Sequence, residues 1–204
     1  MDKSLTDRYL HMKILADLIF DGEEVLKGPH SIVVEDGVFV SVTAISPEQG
    51  ESSASTPEYD FDYSGKFIMP GLIDCHSHPA IVEEDYQMVS LRMGEGEKAL
   101  LAMHRMREML LHGWTTIRVA GDPGQSFPSF EAREYFKKYS VSGPTVVGAG
   151  HYISVTGGGG DLNQVHNCHV MRMTSNSGGF DGAIADGPIE MRKAVRNEIK
   201  RGTM

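Results

Sequence analysis

The chain has 204 residues with 19 basic against 28 acidic side chains, a net charge of −9, and is 40% hydrophobic and 23% charged. That composition is globular rather than disordered, and the acidic balance argues against a nucleic-acid partner, whose phosphates call for clustered Lys and Arg. Two cysteines, Cys75 and Cys168, make no disulfide framework, so a reducing, cytoplasmic compartment is expected, and no apolar run is long enough for a membrane span or anchor.

In chain order, residues 13–20 (KILADLIF) and 31–35 (SIVVE) are rich in β-branched and large apolar side chains and predict strands. Gly28-Pro29 marks a loop before the second of them. Asp36-Gly37 stands between SIVVE and VFVSVTAI, the pattern of a two-residue hairpin whose type I′ turn needs positive φ at both central positions. Residues 46–58 (SPEQGESSASTPE) hold little apolar content beyond Ala54 and predict a flexible surface loop or linker. A third strand-like piece, FDYSGKFIMPGLID, follows. Beyond it, residues 97–112 space Ala99, Leu100, Met103, Met106 and Leu110 as a helix does, and Gly113 is placed to stop it. A strand over 115–119, a helix over 129–138 and a strand over 145–148 come next. Asp186-Gly187-Pro188 opens a last helix with a Met191, Val195 and Ile199 stripe. Such alternation predicts parallel βαβ units. The division expected is a partial β domain over 1–66 and an α/β domain over 67–204.

The chemistry concentrates in Asp74-Cys75-His76-Ser77-His78-Pro79, which closes the apolar run FIMPGLI. Along a strand, Asp74, His76 and His78 share one face. The two histidine Cα atoms would stand roughly 6–7 Å apart, close enough for both imidazoles to reach one divalent ion at about 2.0–2.1 Å. Pro79 lacks an amide hydrogen and helps end the strand. That places the pair at the C-terminal lip, where parallel α/β folds keep their sites. A pair of surface or capping histidines would need no ion.

His151, directly after the third α/β strand, is a candidate to face the pocket and touch substrate. Cys75 alternates away from the histidines and reads as a buried packing residue. The glycine run 157–160 is not followed by Gly-Lys-Ser/Thr, so it reads as a loop on the site face rather than a phosphate cradle. His166, Cys168 and His169 have no second ligand pair at finger-like spacing and read as a rim loop rather than a zinc cluster. His11, His30, His104 and His112 are assigned to surface or helix positions. The basic residues Arg192, Lys193, Arg196, Lys200 and Arg201 read as a solvated helix face.

Taken together, residues 65–78 (GKFIMPGLIDCHSH) resemble the signature that opens the barrel of the amidohydrolase superfamily. Gly113-Trp114-Thr115-Thr116-Ile117-Arg118, Ser154-Val155-Thr156-Gly157-Gly158 and Ala185-Asp186-Gly187-Pro188 resemble its imidazolonepropionase-like and Xaa-Pro dipeptidase branch. The resemblance implies an α/β fold: an N-terminal β-sandwich segment, then the first three βα units of an incomplete TIM-type (β/α)₈ barrel. It implies a metal-dependent hydrolase in which one or two divalent ions, zinc as a rule, activate water against an amide bond of a small molecule or dipeptide. His76 and His78 match the first two metal ligands, and Asp74 the carboxylate that orients a ligand or neighbouring backbone. The family's later lysine, histidines and aspartate general base have no counterpart here, so no catalytic residue is identified within the chain. Residues 67–204 also fall short of the about 250 residues of a complete barrel. Gly159 stands where relatives commonly carry histidine. The truncated chain is therefore expected to be inactive alone. The alternatives are a non-catalytic fragment or pseudoenzyme that needs an oligomer or complementing chain, and a deaminase or cyclic-amide hydrolase of the same superfamily.

Overall fold

The computed structural model describes residues 11–46, 59–82, 84–123, 126–162 and 182–200. Its contacts divide the chain into two compact units, Met1–Pro70 and Gly71–Met204. Most of the loop expected over 46–58 lies outside the described residues.

The first unit is a four-stranded sheet built from β1 (His11–Phe20), β2 (Val25–Glu35), β3 (Val38–Ala44) and β4 (Phe61–Ile68), in the order β3-β2-β1-β4. The first three strands run antiparallel and β4 lies parallel to β1. Asp36 and Gly37 have φ of 50° and 77°, so both central residues of the hairpin are left-handed as the type I′ turn requires. One face carries the core of Ala16, Ile19, Ile32 and Val34. A register shift between Ala16 and Leu18 explains why Ile19, and not Leu18, joins that core: the irregularity reverses which side of the strand faces inward.

Gly28-Pro29 lies within β2 rather than in a loop before it, beside the irregular stretch of the β1–β2 ladder. Gly28 takes φ 92°, and Pro29 contributes only its carbonyl, which accepts the Ile45 N–H at 2.8 Å. His30, assigned to the surface from sequence, is buried on the core face, with Nδ1 2.6 Å from the Gly28 carbonyl. The FDYSGKFIMPGLID piece is two strands and not one, because Met69-Pro70-Gly71 breaks the run and the chain passes from the first sheet to the second unit there. Among the described residues the first unit has one sheet, without the second layer of a sandwich.

The second unit comprises β5 (Leu72–Ser77), α1 (Tyr86–Arg92), α2 (Glu95–Leu111), β6 (Trp114–Val119), α3 (Pro128–Tyr139), β7 (Thr145–Gly148), β8 (Tyr152–Ser154), β9 (Gly182–Ile184) and α4 (Pro188–Lys200). Strands β5, β6 and β7 form a parallel sheet in sequence order, so the expected βαβ units are present, with α2 and α3 as crossovers. β8 and β9 form a separate parallel pair. These two strands and α1 have no counterpart in the sequence reading, since each is too short to show a period.

The core of the unit lies on the helix side of the sheet, where Ile117, Val119 and Val146 meet Ala102, Met106, Phe130, Ala132 and Phe136. On the other side Arg118, Thr145 and Val147 are exposed. The buried stripe of α2 is Lys98, Ala102 and Met106, whereas Leu100 is exposed. Lys98 can be buried because its ammonium donates to Glu95 Oε1 at 2.7 Å while its methylenes pack inward. In α4 the expected stripe is largely exposed and only Ala194 is buried. Among the described residues no helix is long and apolar enough to cross a membrane.

Candidate metal centre

Strand β5 pairs with β6 at Asp74–Ile117 and next at Ser77–Val119, three steps on one strand against two on the other. The extra residue is a bulge at Cys75-His76. Bulges of this kind re-aim side chains near sites. The Cys75 carbonyl lies 3.4 Å from Arg118 Nη1, which donates to it, and Asp74 Oδ1 accepts the His76 N–H at 3.0 Å. Asp74 therefore braces the backbone that carries His76. The strand ends at Ser77, so His78 stands just beyond it. Convergence of the two imidazoles comes from the bulge and this exit rather than from regular alternation.

The outcome is that His76 Nε2 and His78 Nε2 lie 3.1 Å apart, with ring centroids 4.9 Å apart and an interplanar angle of 74°. His76 is exposed and His78 half-buried. On its other side His78 Nδ1 is 3.1 Å from the Gly121 carbonyl and 3.0 Å from the Tyr152 hydroxyl. A carbonyl only accepts, so the Gly121 contact requires the proton on Nδ1. Nε2 then presents its lone pair. Donor atoms around a tetrahedral zinc at about 2.0–2.1 Å stand about 3.3 Å apart, so the observed spacing and donor set fit one divalent ion. Among the described residues no group of three or more His, Cys, Asp or Glu side chains gathers round it.

A groove of about 440 Å³ opens beside the pair, lined by His78, Ile81, Tyr86, Tyr152, Gly159 and Gly160 among others. The glycine run thus does reach the site face. Its loop is closed by Asp161 Oδ2, which accepts the Gly157 N–H at 2.8 Å, and is tied to the start of α4 by Thr156 and Asp186. A Cβ added at Gly159 would meet open space.

The other sequence candidates fall elsewhere. Cys75 is exposed, not buried, because alternation along β5 puts it on the face of Ile73, which is itself 63% exposed. His151 is buried, with Nδ1 3.2 Å from Glu198 Oε1, Nε2 3.2 Å from the Ser126 carbonyl, and its ring 4.2 Å from that of Phe127. Its backbone N–H donates to Glu198 Oε2 at 3.0 Å. The structure does not place His151 among the residues lining the groove. His166, Cys168 and His169 lie outside the described residues.

Three residues are absent from the sequence reading: Gly121 and Tyr152, which contact His78, and Asp122, which follows Gly121 in the chain. Asp122 is fully buried, and burial pushes its carboxyl up to about 7 although hydrogen bonds from the Ser129 N–H and hydroxyl, at 2.9 and 2.5 Å, pull the other way. The available signal was Ala-Gly-Asp-Pro-Gly directly after a parallel strand, a loop at the strand's C-terminal end.

The amidohydrolase family profile matches residues 67–204, most of the chain. The chain belongs to the amidohydrolase family. Ochratoxinase of Aspergillus niger is 29% identical over 144 residues, covering 66% of this chain and 29% of that protein. A probable imidazolonepropionase of Bos taurus is 34% identical over 70 residues, 34% of this chain and 16% of that protein. The crystal structure of A. niger ochratoxinase superposes with a TM-score of 0.73 at 25% identity, covering 97% of this chain and 46% of its own. A prolidase complexed with N-methylphosphonate-L-proline superposes with a TM-score of 0.66 at 27% identity, covering 94% and 45%. This amidohydrolase chain therefore spans less than half of those two solved structures, and less still of the curated relatives.

Proposed function

We propose that this chain carries the first two metal ligands, His76 and His78, and the first three βα units of a (β/α)₈ amidohydrolase. The proposed reaction is hydrolysis of an amide bond in a small molecule or dipeptide. Support comes from the family, from relatives named ochratoxinase and prolidase, and above all from two Nε2 atoms 3.1 Å apart with the second ring's Nδ1 engaged. Zinc is the proposed ion, in keeping with the family's usual divalent metals. Such an ion, when bound, lowers the pKa of water and polarises a carbonyl.

The chain's own residues prepare the site. Asp74 fixes the His76 backbone, and the Gly121 carbonyl holds the His78 proton on Nδ1 so that His78 offers Nε2 beside the His76 Nε2. Ile81, Tyr86 and Tyr152 line the adjoining groove, and the missing side chain at Gly160 lets its loop pack on β8, where a Cβ would stand 3.0 Å from the Cβ atoms of Tyr152 and Ser154. A catalytic zinc takes three protein ligands, and two are assigned here, so catalysis is proposed to need the remainder of a barrel. Such a complement would pair with the edges of the β5-β6-β7 sheet and cover its exposed side at Arg118, Thr145 and Val147.

Equilibrium dialysis against zinc, with a panel of N-acyl amino acids, Xaa-Pro dipeptides and cyclic amides assayed in parallel, tests this. The expected result is zinc retention that His76→Ala and His78→Ala each abolish, with no turnover by the 204-residue chain. Turnover by the chain alone would overturn the incomplete catalytic set. Zinc retention indifferent to both variants would overturn the ligand assignment.

A further inference from the structure

We infer that Tyr152 is a positioning residue for His78: its hydroxyl oxygen shares the Nδ1 proton with the Gly121 carbonyl and so keeps Nε2 bare toward His76. This rests on the proposed reading of the two histidines as ligands.

A neutral histidine side chain in water favours the proton on Nε2, the tautomer that cannot bind a metal through that atom. At His78 the Gly121 carbonyl at 3.1 Å can only accept, which reverses that preference. The Tyr152 oxygen stands at 3.0 Å from the same Nδ1. With the proton already on Nδ1, the phenol oxygen is a second acceptor in a three-centre bond, and the ring is held in place from two directions. Partners of this kind, on the nitrogen away from the metal, fix tautomer and orientation and raise ligand basicity.

The fold delivers Tyr152 to this point by specific means. Gly121 has φ 159°, and a Cβ on it would overlap the edge of the Tyr152 ring at Cε1 and Cζ. Gly121 thus supplies both the carbonyl and the space for the phenol. Tyr152 opens β8, where it pairs with Gly182 of β9. The residue before it, His151, is anchored by Glu198 and the Ser126 carbonyl. The His78 and Tyr152 rings accordingly sit 5.8 Å apart at 47°.

Tyr152→Phe deletes the hydroxyl while leaving the ring against Gly121. Long-range proton–nitrogen NMR of the metal-free, ¹⁵N-labelled chain at pH 8 reads the tautomer of His78 directly. The wild type should show Nδ1 protonated and Nε2 bare, and the variant a mixture with Nε2 protonated, while His76 is unchanged. Cobalt(II) and zinc affinity should fall about 10-fold in the variant. A purely structural role for Tyr152 would alter backbone shifts without moving the tautomer.

Nε2 protonated in the wild type overturns the inference, whether or not the variant folds. So does a variant with unchanged tautomer and affinity in a chain that binds zinc, which leaves the ligand reading standing. A tautomer that responds to Tyr152→Phe in a chain that binds no ion supports the positioning role and refutes the ligand reading instead.

Discussion

Asp122 makes a pH prediction that can be worked through from its surroundings. The carboxyl is fully buried beside the start of α3, its two oxygens accept from the N–H and hydroxyl of Ser129, and burial raises it from 3.8 to about 7. A carboxyl with a raised folded-state pKa binds its proton more readily folded than unfolded. Between about pH 4 and 7 the folded chain therefore holds an extra proton, and stability rises as pH falls through that window. The gap of about three units corresponds to roughly 4 kcal/mol in full, of which roughly 3 kcal/mol falls between pH 8 and pH 5. Asp122→Asn removes the titration while its amide oxygen still accepts from Ser129. Urea unfolding followed by fluorescence of Trp114, the single tryptophan, reports on the second unit. The stability difference between wild type and variant should shift by about that amount in favour of the wild type on going from pH 8 to pH 5. Parallel stability curves across the range would refute the reasoning, and would mean that the Ser129 hydrogen bonds and the helix N-terminus outweigh desolvation.

Three further perturbations follow from packing and hydrogen bonding. Gly148→Ala should destabilise the second unit by about 3 kcal/mol or more, measured by urea midpoint, because its φ is 121° and a Cβ there would overlap the Val119 carbonyl oxygen of the neighbouring strand. Met106→Ala, at a position with no exposed surface in the core under β6, should cost about 2–5 kcal/mol by the same measurement. Glu198→Ala removes the acceptor for the buried His151 N–H and its ring partner, and should cost about 1–3 kcal/mol. Faster amide exchange confined to α4 and the segment around His151 would localise that loss.

What could be read from residue order was the part encoded locally. Asp36-Gly37 dictates its own turn because few residue pairs tolerate left-handed φ twice, and Pro188 at the first position of α4 marks a start where a missing N–H costs nothing. The α2 and α3 crossovers and the parallel β5-β6-β7 sheet followed from the alternation of periods. His-x-His drew attention for its chemistry, and the structure does bring the two rings together. The route was not legible: a bulge at Cys75-His76 is a property of the β5–β6 pairing and leaves no mark on either strand alone. The same holds for the register shift that selects Ile19 over Leu18, and for Lys98, whose burial depends on Glu95 one turn away. Tyr152 is 74 residues from His78, and nothing in either neighbourhood announces the contact. The Gly121 carbonyl is invisible to any reading of side chains.

The most direct test of the account is where an ion sits. Crystals of the 204-residue chain soaked in zinc, with anomalous differences collected at the zinc edge, should show a peak within about 2.0–2.1 Å of both the His76 and His78 Nε2 atoms. A peak bound elsewhere, or imidazoles turned apart with no peak between them, would contradict it.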